Sequence, residues 1–216
     1  MNLAVVIYAH NQESLIGEFV HKLVQKDITV FVVNDCSNDL TGLNARITGA
    51  WVINTKSKIG KCRGLLKAFT IAVDLDHFDY IATIELNDQI NSLFDLLDLM
   101  PTNDLVIGSS KLSLTKRIFN SLFNMATGAK FKDWFSGYRI YRTNLIQELL
   151  KYSEGFTSNI QIEMLAKANI LGATITDCPI EYASKESFYI WEIYKSWLKT
   201  LKYPKRPSYN TSGDLW

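Results

Sequence analysis

The chain alternates between two kinds of apolar pattern. Residues 3–9 (LAVVIYA) form a continuous β-branched run, as expected of a strand buried on both faces. From Glu13 the period changes. Leu15, Ile16, Phe19, Val20, Leu23 and Val24 recur at three- and four-residue intervals, which predicts an amphipathic helix over 13–25. Buried-strand runs return at 28–35, 50–54, 79–86 and 104–110, and helical periods at 62–75, 92–100, 116–128, 143–153 and 159–172. Gly128 and Gly172 stand where two of these helices should stop. A late strand is predicted over 173–184, with Pro179 placing part of it at an edge or bulge. A last helix is predicted over 187–203, ended by Pro204 and Pro207. Strand–helix alternation of this kind predicts an α/β fold, a three-layer α/β/α sandwich whose mixed central sheet is mostly parallel.

Composition narrows the function without choosing it. A chain of 216 residues suits one domain with a sizeable core. The formal net charge of +1 excludes a protein that coats nucleic acid, so any affinity for phosphate must come from local clustering. Cys36, Cys62 and Cys178 are far apart and His10, His21 and His77 are scattered, so no zinc spacing exists and a reduced, cytoplasmic chain is expected. The leading apolar run is short and lacks a basic leader, which reads as a strand and not a signal peptide. No stretch approaches the roughly 20 apolar residues of a membrane span, so the expectation is a soluble or peripheral protein.

The informative positions are the ends of the predicted strands, because open parallel sheets bind ligands outside their carboxyl edges. Those ends read YAHNQE (8–13), NDCSND (34–39), NTKSKIGK (54–61) and ELNDQ (85–89), each polar after an apolar strand. Four such clusters on one edge point to a site.

In this order the clusters resemble the family-two glycosyltransferases of the GT-A fold. The branch most similar contains dolichol-phosphate mannose synthase and related polyprenyl-phosphate sugar transferases. The resemblance runs from Leu3 to about Ser187. YAHNQE is similar to a first nucleotide-contacting loop, which puts Tyr8, Asn11 and Glu13 beside the donor. VVNDCSNDLT is similar to VVDDGSTDGT, so Asn34 and Asp35 fall where base and ribose are held; Ser37 and Asp39 suit helix capping and turn formation as well. KIGKCRGL resembles a glycine-bounded loop before a helix, where Lys61 either faces the donor phosphates or is simply solvated. ELNDQ stands where the family carries Asp-x-Asp-x-Gln. The resemblance therefore implies a remodelled Mg²⁺ or Mn²⁺ site at Glu85, Asn87 and Asp88, with Glu85 also touching the donor and Gln89 at the catalytic position.

Downstream, DLVIGSS resembles DLVIGSR, with Ser110 in place of an arginine. Arg117 and Ser121, one helical turn apart, match an acceptor-side Arg-x-x-x-Ser pair. KDWFSGYRIYR keeps the register of D-x-x-S-G-F-R-x-x-R, which assigns Asp133 and Arg139 to the catalytic centre; the structural alternative for Arg139 is a loop-fixing ion pair. In IQIEMLAKANILGATITDCPIEY the likeness supports the fold, and Glu163 would buttress the site loops. Lys185 falls where a phosphate-gripping arginine is common.

The activity implied is inverting transfer of a sugar from a GDP- or UDP-linked donor to an acceptor, either a lipid phosphate or a glycan hydroxyl. The hydroxyl would need a base, for which Asp133 is the candidate. The domain expected is 1–187, followed by 188–216. The aromatic and basic helix within the latter suits either a membrane surface on the cytoplasmic face or packing on the domain itself or on a second subunit of a homodimer. Against this stands a catalytically silent relative that binds a nucleotide sugar or scaffolds a partner enzyme, consistent with Asn34, Asn87 and Ser110. Nucleotidyl transfer lacks its glycine-rich basic loop here, and no Gly-x-Gly-x-x-Gly marks a dinucleotide enzyme.

Overall fold

A computed structural model describes residues 2–153 and 159–181. Seven strands form one sheet: β1 (Leu3–Ala9), β2 (Thr29–Asn34), β3 (Trp51–Asn54), β4 (Tyr80–Thr83), β5 (Leu105–Ser109), β6 (Arg139–Arg142) and β7 (Ile175–Pro179), in the order β3-β2-β1-β4-β6-β5-β7. β1 runs parallel to both β2 and β4, and β3 continues the parallel half beside β2. β6 is the antiparallel member, inserted between β4 and β5, while β7 runs parallel to β5 at the edge. Pro179, which lacks an N–H, thus falls on a terminal strand as its chemistry requires.

Strand alternation divides the core into two layers. Ala4 and Val6 of β1 pack with Phe31, Val33, Leu65, Phe69 and Ile81 on one face. Leu3, Val5 and Ile7 pack with Ile16, Val20, Leu23, Val30 and Leu93 on the other. The helices are α1 (Glu13–Val24), α2 (Thr41–Ile47), α3 (Gly60–Asp74), α4 (Ser92–Asp98), α5 (Leu114–Thr127), α6 (Thr143–Lys151) and α7 (Ile160–Ile170). They supply both outer layers, giving the α/β/α sandwich that the periodicity implied. Gly128 ends α5 in the left-handed conformation at φ 71°.

Two elements escape the pattern. β6 reads RIYR, too short for its alternation to register, and its arginines are held from outside. Arg142 donates to the carbonyls of Met100 and Asn103 and pairs with Asp104 at 3.3 Å. α2 (TGLNARI) has weak helix formers and exposes Leu43 and Ile47. Asp39 compensates by accepting from the Thr41 amide and hydroxyl at the start of the helix. The predicted helix over 187–203, and with it Lys185, lies outside the described residues.

Candidate functional site at the strand ends

The register puts the polar clusters side by side. Ala9 of β1 is opposite Asn34 of β2, and Asn34 is opposite Asn54 of β3, so the loops that follow leave from one edge. Asp35 ties them together. Its carboxylate is fully buried and accepts from the Tyr8 hydroxyl at 2.6 Å, the Thr55 hydroxyl at 2.9 Å, and the amides of Ile59 and Gly60 at 2.9 and 2.8 Å. Burial alone would raise its pKa, yet the hydrogen bonds outweigh it and hold the carboxyl below its ordinary range. Tyr8 is pushed up, first by burial and then by that same contact, so its phenol stays protonated. These bonds join β1, β2, the loop after β3 and the start of α3.

Asn34, Asn11 and Glu13 shape the neighbouring loops. Asn34 donates through Nδ2 to Asn54 at 2.9 Å and accepts from Ser37. A Cβ on Gly42 would lie 2.5 Å from that Nδ2, so α2 can approach only through a glycine. Asn11, at φ 53°, accepts from the Asn38 amide, and Glu13 accepts from the Leu40 amide, both at 2.9 Å. Asp39 and Ser37 are likewise spent on loop amides and hydroxyls, in keeping with the capping alternative.

Beyond this scaffold lies a cavity of about 240 Å³. Tyr8, Lys61, Glu85 and Asn87 line it, and so do His10, Gln12 and Gln161, which the motifs did not single out. Lys61, in the first turn of α3, places Nζ 2.6 Å from Glu85 Oε1, with both side chains partly exposed. The Glu85 carboxylate lies against the backbone of Gly137, where any Cβ would strike Oε1. Gln161 Nε2 is 3.3 Å from the same point, so the cavity floor closes around one carboxylate. His10 Nδ1 lies 2.8 Å from the Asp35 carbonyl, an acceptor only, so this nitrogen carries the proton and Nε2 is an acceptor in the neutral ring. His10 sits within the polar run after β1, a signal available in the sequence. Gln161 arrives from α7 with no local signal at all. A larger groove of about 600 Å³ opens at the opposite end of the sheet between Phe31, Trp51 and Phe78. It lacks the convergent charged groups of the strand-end cavity.

The donor set was expected to hold a divalent cation, and its geometry does not build that site unaided. Glu85 is engaged by Lys61, and Asn87 is exposed and neutral. Asp88 is buried and turns Oδ2 back onto the Glu85 amide at 2.6 Å, closing the loop. Among the described residues no group of three or more His, Cys, Asp or Glu is placed to hold a metal. A hard cation prefers several oxygens, and here Glu85 is already paired while Asp88 is turned back onto its own loop.

The remaining residues lie elsewhere. Gln89 is exposed, and its carbonyl accepts from the Tyr138 hydroxyl at 3.1 Å. Asp133 is buried, accepting from the Phe135 and Ser136 amides at 2.9 and 3.1 Å and from Ser110 through N and Oγ at 3.4 and 3.3 Å. Burial raises its pKa, and those amides together with the charges of Arg139 and Lys116 hold the rise back. Arg139 is fully buried and donates to the carbonyls of Gln161 and Trp134, which pins the 133–137 loop to α7. Glu163 pairs with Lys167 inside α7, away from the cavity lining. Arg117 and Ser121 do meet, in a second cavity of about 460 Å³ with Ser110, Lys111 and Lys132.

The fold is that of the GT-A glycosyltransferases, an α/β Rossmann-like sandwich. Glucosyl-3-phosphoglycerate synthase from Mycobacterium tuberculosis, solved with UDP, matches at TM-score 0.74 and 16% identity over 94% of this chain and 81% of that chain. The same enzyme with Mn²⁺, UDP and phosphoglyceric acid matches at TM-score 0.73 and 18% identity, covering 94% and 80%. In sequence, 4,4'-diaponeurosporenoate glycosyltransferase from Staphylococcus aureus (strain USA300) is 29% identical in an alignment of 137 positions that covers 58% of this chain and 36% of that protein. The chain thus spans about a third of the length of the curated relatives it matches. No protein-family model matches the sequence. Among the described residues no helix is long and apolar enough to cross a membrane.

Proposed function

We propose that the chain binds a nucleoside-diphosphate sugar in the strand-end cavity and transfers the sugar, with inversion, to an anionic acceptor seated by Arg117 and Ser121. The observation that carries this reading is the Lys61–Glu85 pair at the mouth of α3, with Tyr8 and His10 beside it on the end of β1. A diphosphate entering this cavity meets the Lys61 ammonium in the first turn of α3, while the Ile59 and Gly60 amides at that helix end are already taken by Asp35. UDP is the favoured nucleotide, since the structural neighbours were solved with it. Asn34 and Asp35, with Asn11 and Glu13, shape the base and ribose side; Asp35 works there through Tyr8 and the Gly60 amide, because its oxygens are already occupied.

Neighbours hold Mn²⁺ with UDP, whereas here Lys61 supplies positive charge from the protein itself. We assign Lys61 the role of offsetting charge on the departing nucleoside diphosphate. The acceptor oxygen attacks the anomeric carbon as the bond from that carbon to the β-phosphate oxygen breaks. An acceptor phosphate is already ionised, so no proton has to be removed. That suits a site in which Asp133 is buried behind Ser110 and serves as a positioning group. Asp133 and Arg139 hold the 133–137 loop, and Gly137 keeps Glu85 in place. The acceptor cavity gathers Lys111, Arg117 and Lys132 with the hydroxyls of Ser110 and Ser121, a set suited to phosphate.

A catalytically silent nucleotide-sugar-binding protein is the second reading, favoured by the engagement of Glu85 and by neutral Asn87. Incubation with GDP-, UDP- and dTDP-sugars plus a polyprenyl phosphate or phosphoglycerate, with Mn²⁺ or chelator, separates the two. Sugar transfer supports the enzyme; binding without turnover supports the silent relative; no binding to any donor removes both.

A further inference from the structure

The outward face of α5 carries apolar residues that are exposed among the described residues. α5 buries Asn120, Phe123 and Thr127, while Leu114, Ile118 and Met125 are 74%, 55% and 75% exposed. At 3.6 residues per turn these three fall within about 40° of one another and almost opposite Phe123, so they share one face, with the exposed Ser121 between Ile118 and Met125. Single exposed hydrophobics are ordinary on a protein surface, but three on one helix face are not.

The charge around this face is one-sided. Residues 111–132 contain five cations, Lys111, Lys116, Arg117, Lys130 and Lys132, and no acidic residue, in a chain whose net charge is only +1. Lys111, Arg117, Lys130 and Lys132 are exposed, and among the described residues none of these four pairs with a carboxylate within 4.0 Å. Apolar side chains on one face flanked by cations are the pattern of a helix that lies in the plane of an anionic membrane surface, burying its apolar side chains below the headgroups.

We propose that α5, with the basic residues of 111–132, docks this domain on an anionic lipid bilayer. The charge complementarity chooses the occupant: a second copy of this chain would bring the same cations against themselves, whereas anionic headgroups neutralise them. The surface shares Lys111, Arg117 and Lys132 with the proposed acceptor cavity, but vesicle binding is read without donor or turnover, so its failure and the failure of the transferase reading are distinguishable.

The test is co-sedimentation of the full chain with vesicles of phosphatidylglycerol mixed into phosphatidylcholine, against phosphatidylcholine alone. The expected result is binding to the anionic vesicles only, weakened by salt, and reduced about tenfold or more by combining Leu114→Ser, Ile118→Ser and Met125→Ser. These side chains are exposed, so the thermal melt of the triple variant should match wild type. Lys130→Glu is a milder second variant and should reduce binding severalfold. No binding by the wild-type chain would overturn the proposal, as would full binding by both variants. A wild-type dimer that the triple variant turns into a monomer, without vesicle binding, would overturn it in favour of a second copy.

Discussion

Lys61 Nζ lies 2.6 Å from Glu85 Oε1, so the end of β4 and the start of α3 meet in an ion pair at the mouth of the strand-end cavity. The acidic residue expected to help hold a cation is thus already paired with a side chain of the protein. Replacing Lys61 by Met should lower kcat/KM about 100-fold, the order expected when one fixed electrostatic partner of a leaving group is removed. Steady-state kinetics with and without Mn²⁺ checks this. Wild-type activity should survive chelation, and Mn²⁺ should not rescue the variant.

Gly137 offers a way to disturb the pair without touching its charges. Its backbone lies against Glu85, and a methyl group there meets the flexible end of that side chain rather than the main chain. Gly137→Ala should therefore cost only about 1 kcal/mol of stability, while turning Glu85 away from Lys61 and lowering donor affinity at least severalfold. A thermal melt combined with calorimetric titration separates the two effects.

Asp35 should matter for folding more than for chemistry. Four donors converge on its buried carboxylate. Asp35→Asn replaces one acceptor oxygen by a donor and should cost about 3 kcal/mol at neutral pH. The sign with pH follows from a folded-state pKa held below its unfolded value. The carboxylate's contribution is complete above the unfolded pKa of about 4 and is lost as pH falls through the folded pKa. Denaturant titrations should show the gap between wild type and variant shrinking in acid. Asp133 has the opposite sign: its raised pKa makes its contribution less favourable as pH rises through the carboxylate range.

Cys36 sits in the loop after β2 at φ 55°, a left-handed conformation that costs a residue with a Cβ about 1 kcal/mol. Its Sγ makes only a long contact of 4.0 Å to the Lys56 carbonyl. Cys36→Gly should raise stability by about 0.5–1 kcal/mol and leave donor binding unchanged, as chemical denaturation and titration would show.

The parallel half of the sheet was legible because its strands are continuous apolar runs, and because each ends abruptly in polar residues that can only lie on one edge. Tyr8, Lys61, Glu85 and Asn87 were reachable from that rule and do share the cavity. β6 was not legible, since four residues containing two arginines leave no period, and Arg139 is satisfied by carbonyls distant in sequence. Gln161 was invisible for the same reason: only the antiparallel insertion of β6 and the packing of α7 bring it to the floor of the site. Asp133 was reachable only through its register in a motif; the hydrogen bonds its oxygens accept from Ser110, Phe135 and Ser136 come from the fold of its loop and were not legible.

The central claim is that the strand-end cavity binds a nucleoside-diphosphate sugar with Lys61 at the diphosphate. Isothermal titration of the purified chain with UDP-glucose in the presence of EDTA tests it most directly. The account expects saturable binding that survives EDTA and disappears in Lys61→Met. Absence of binding to UDP-glucose and to the other nucleotide sugars, with or without Mn²⁺, or undiminished binding by Lys61→Met, would contradict it.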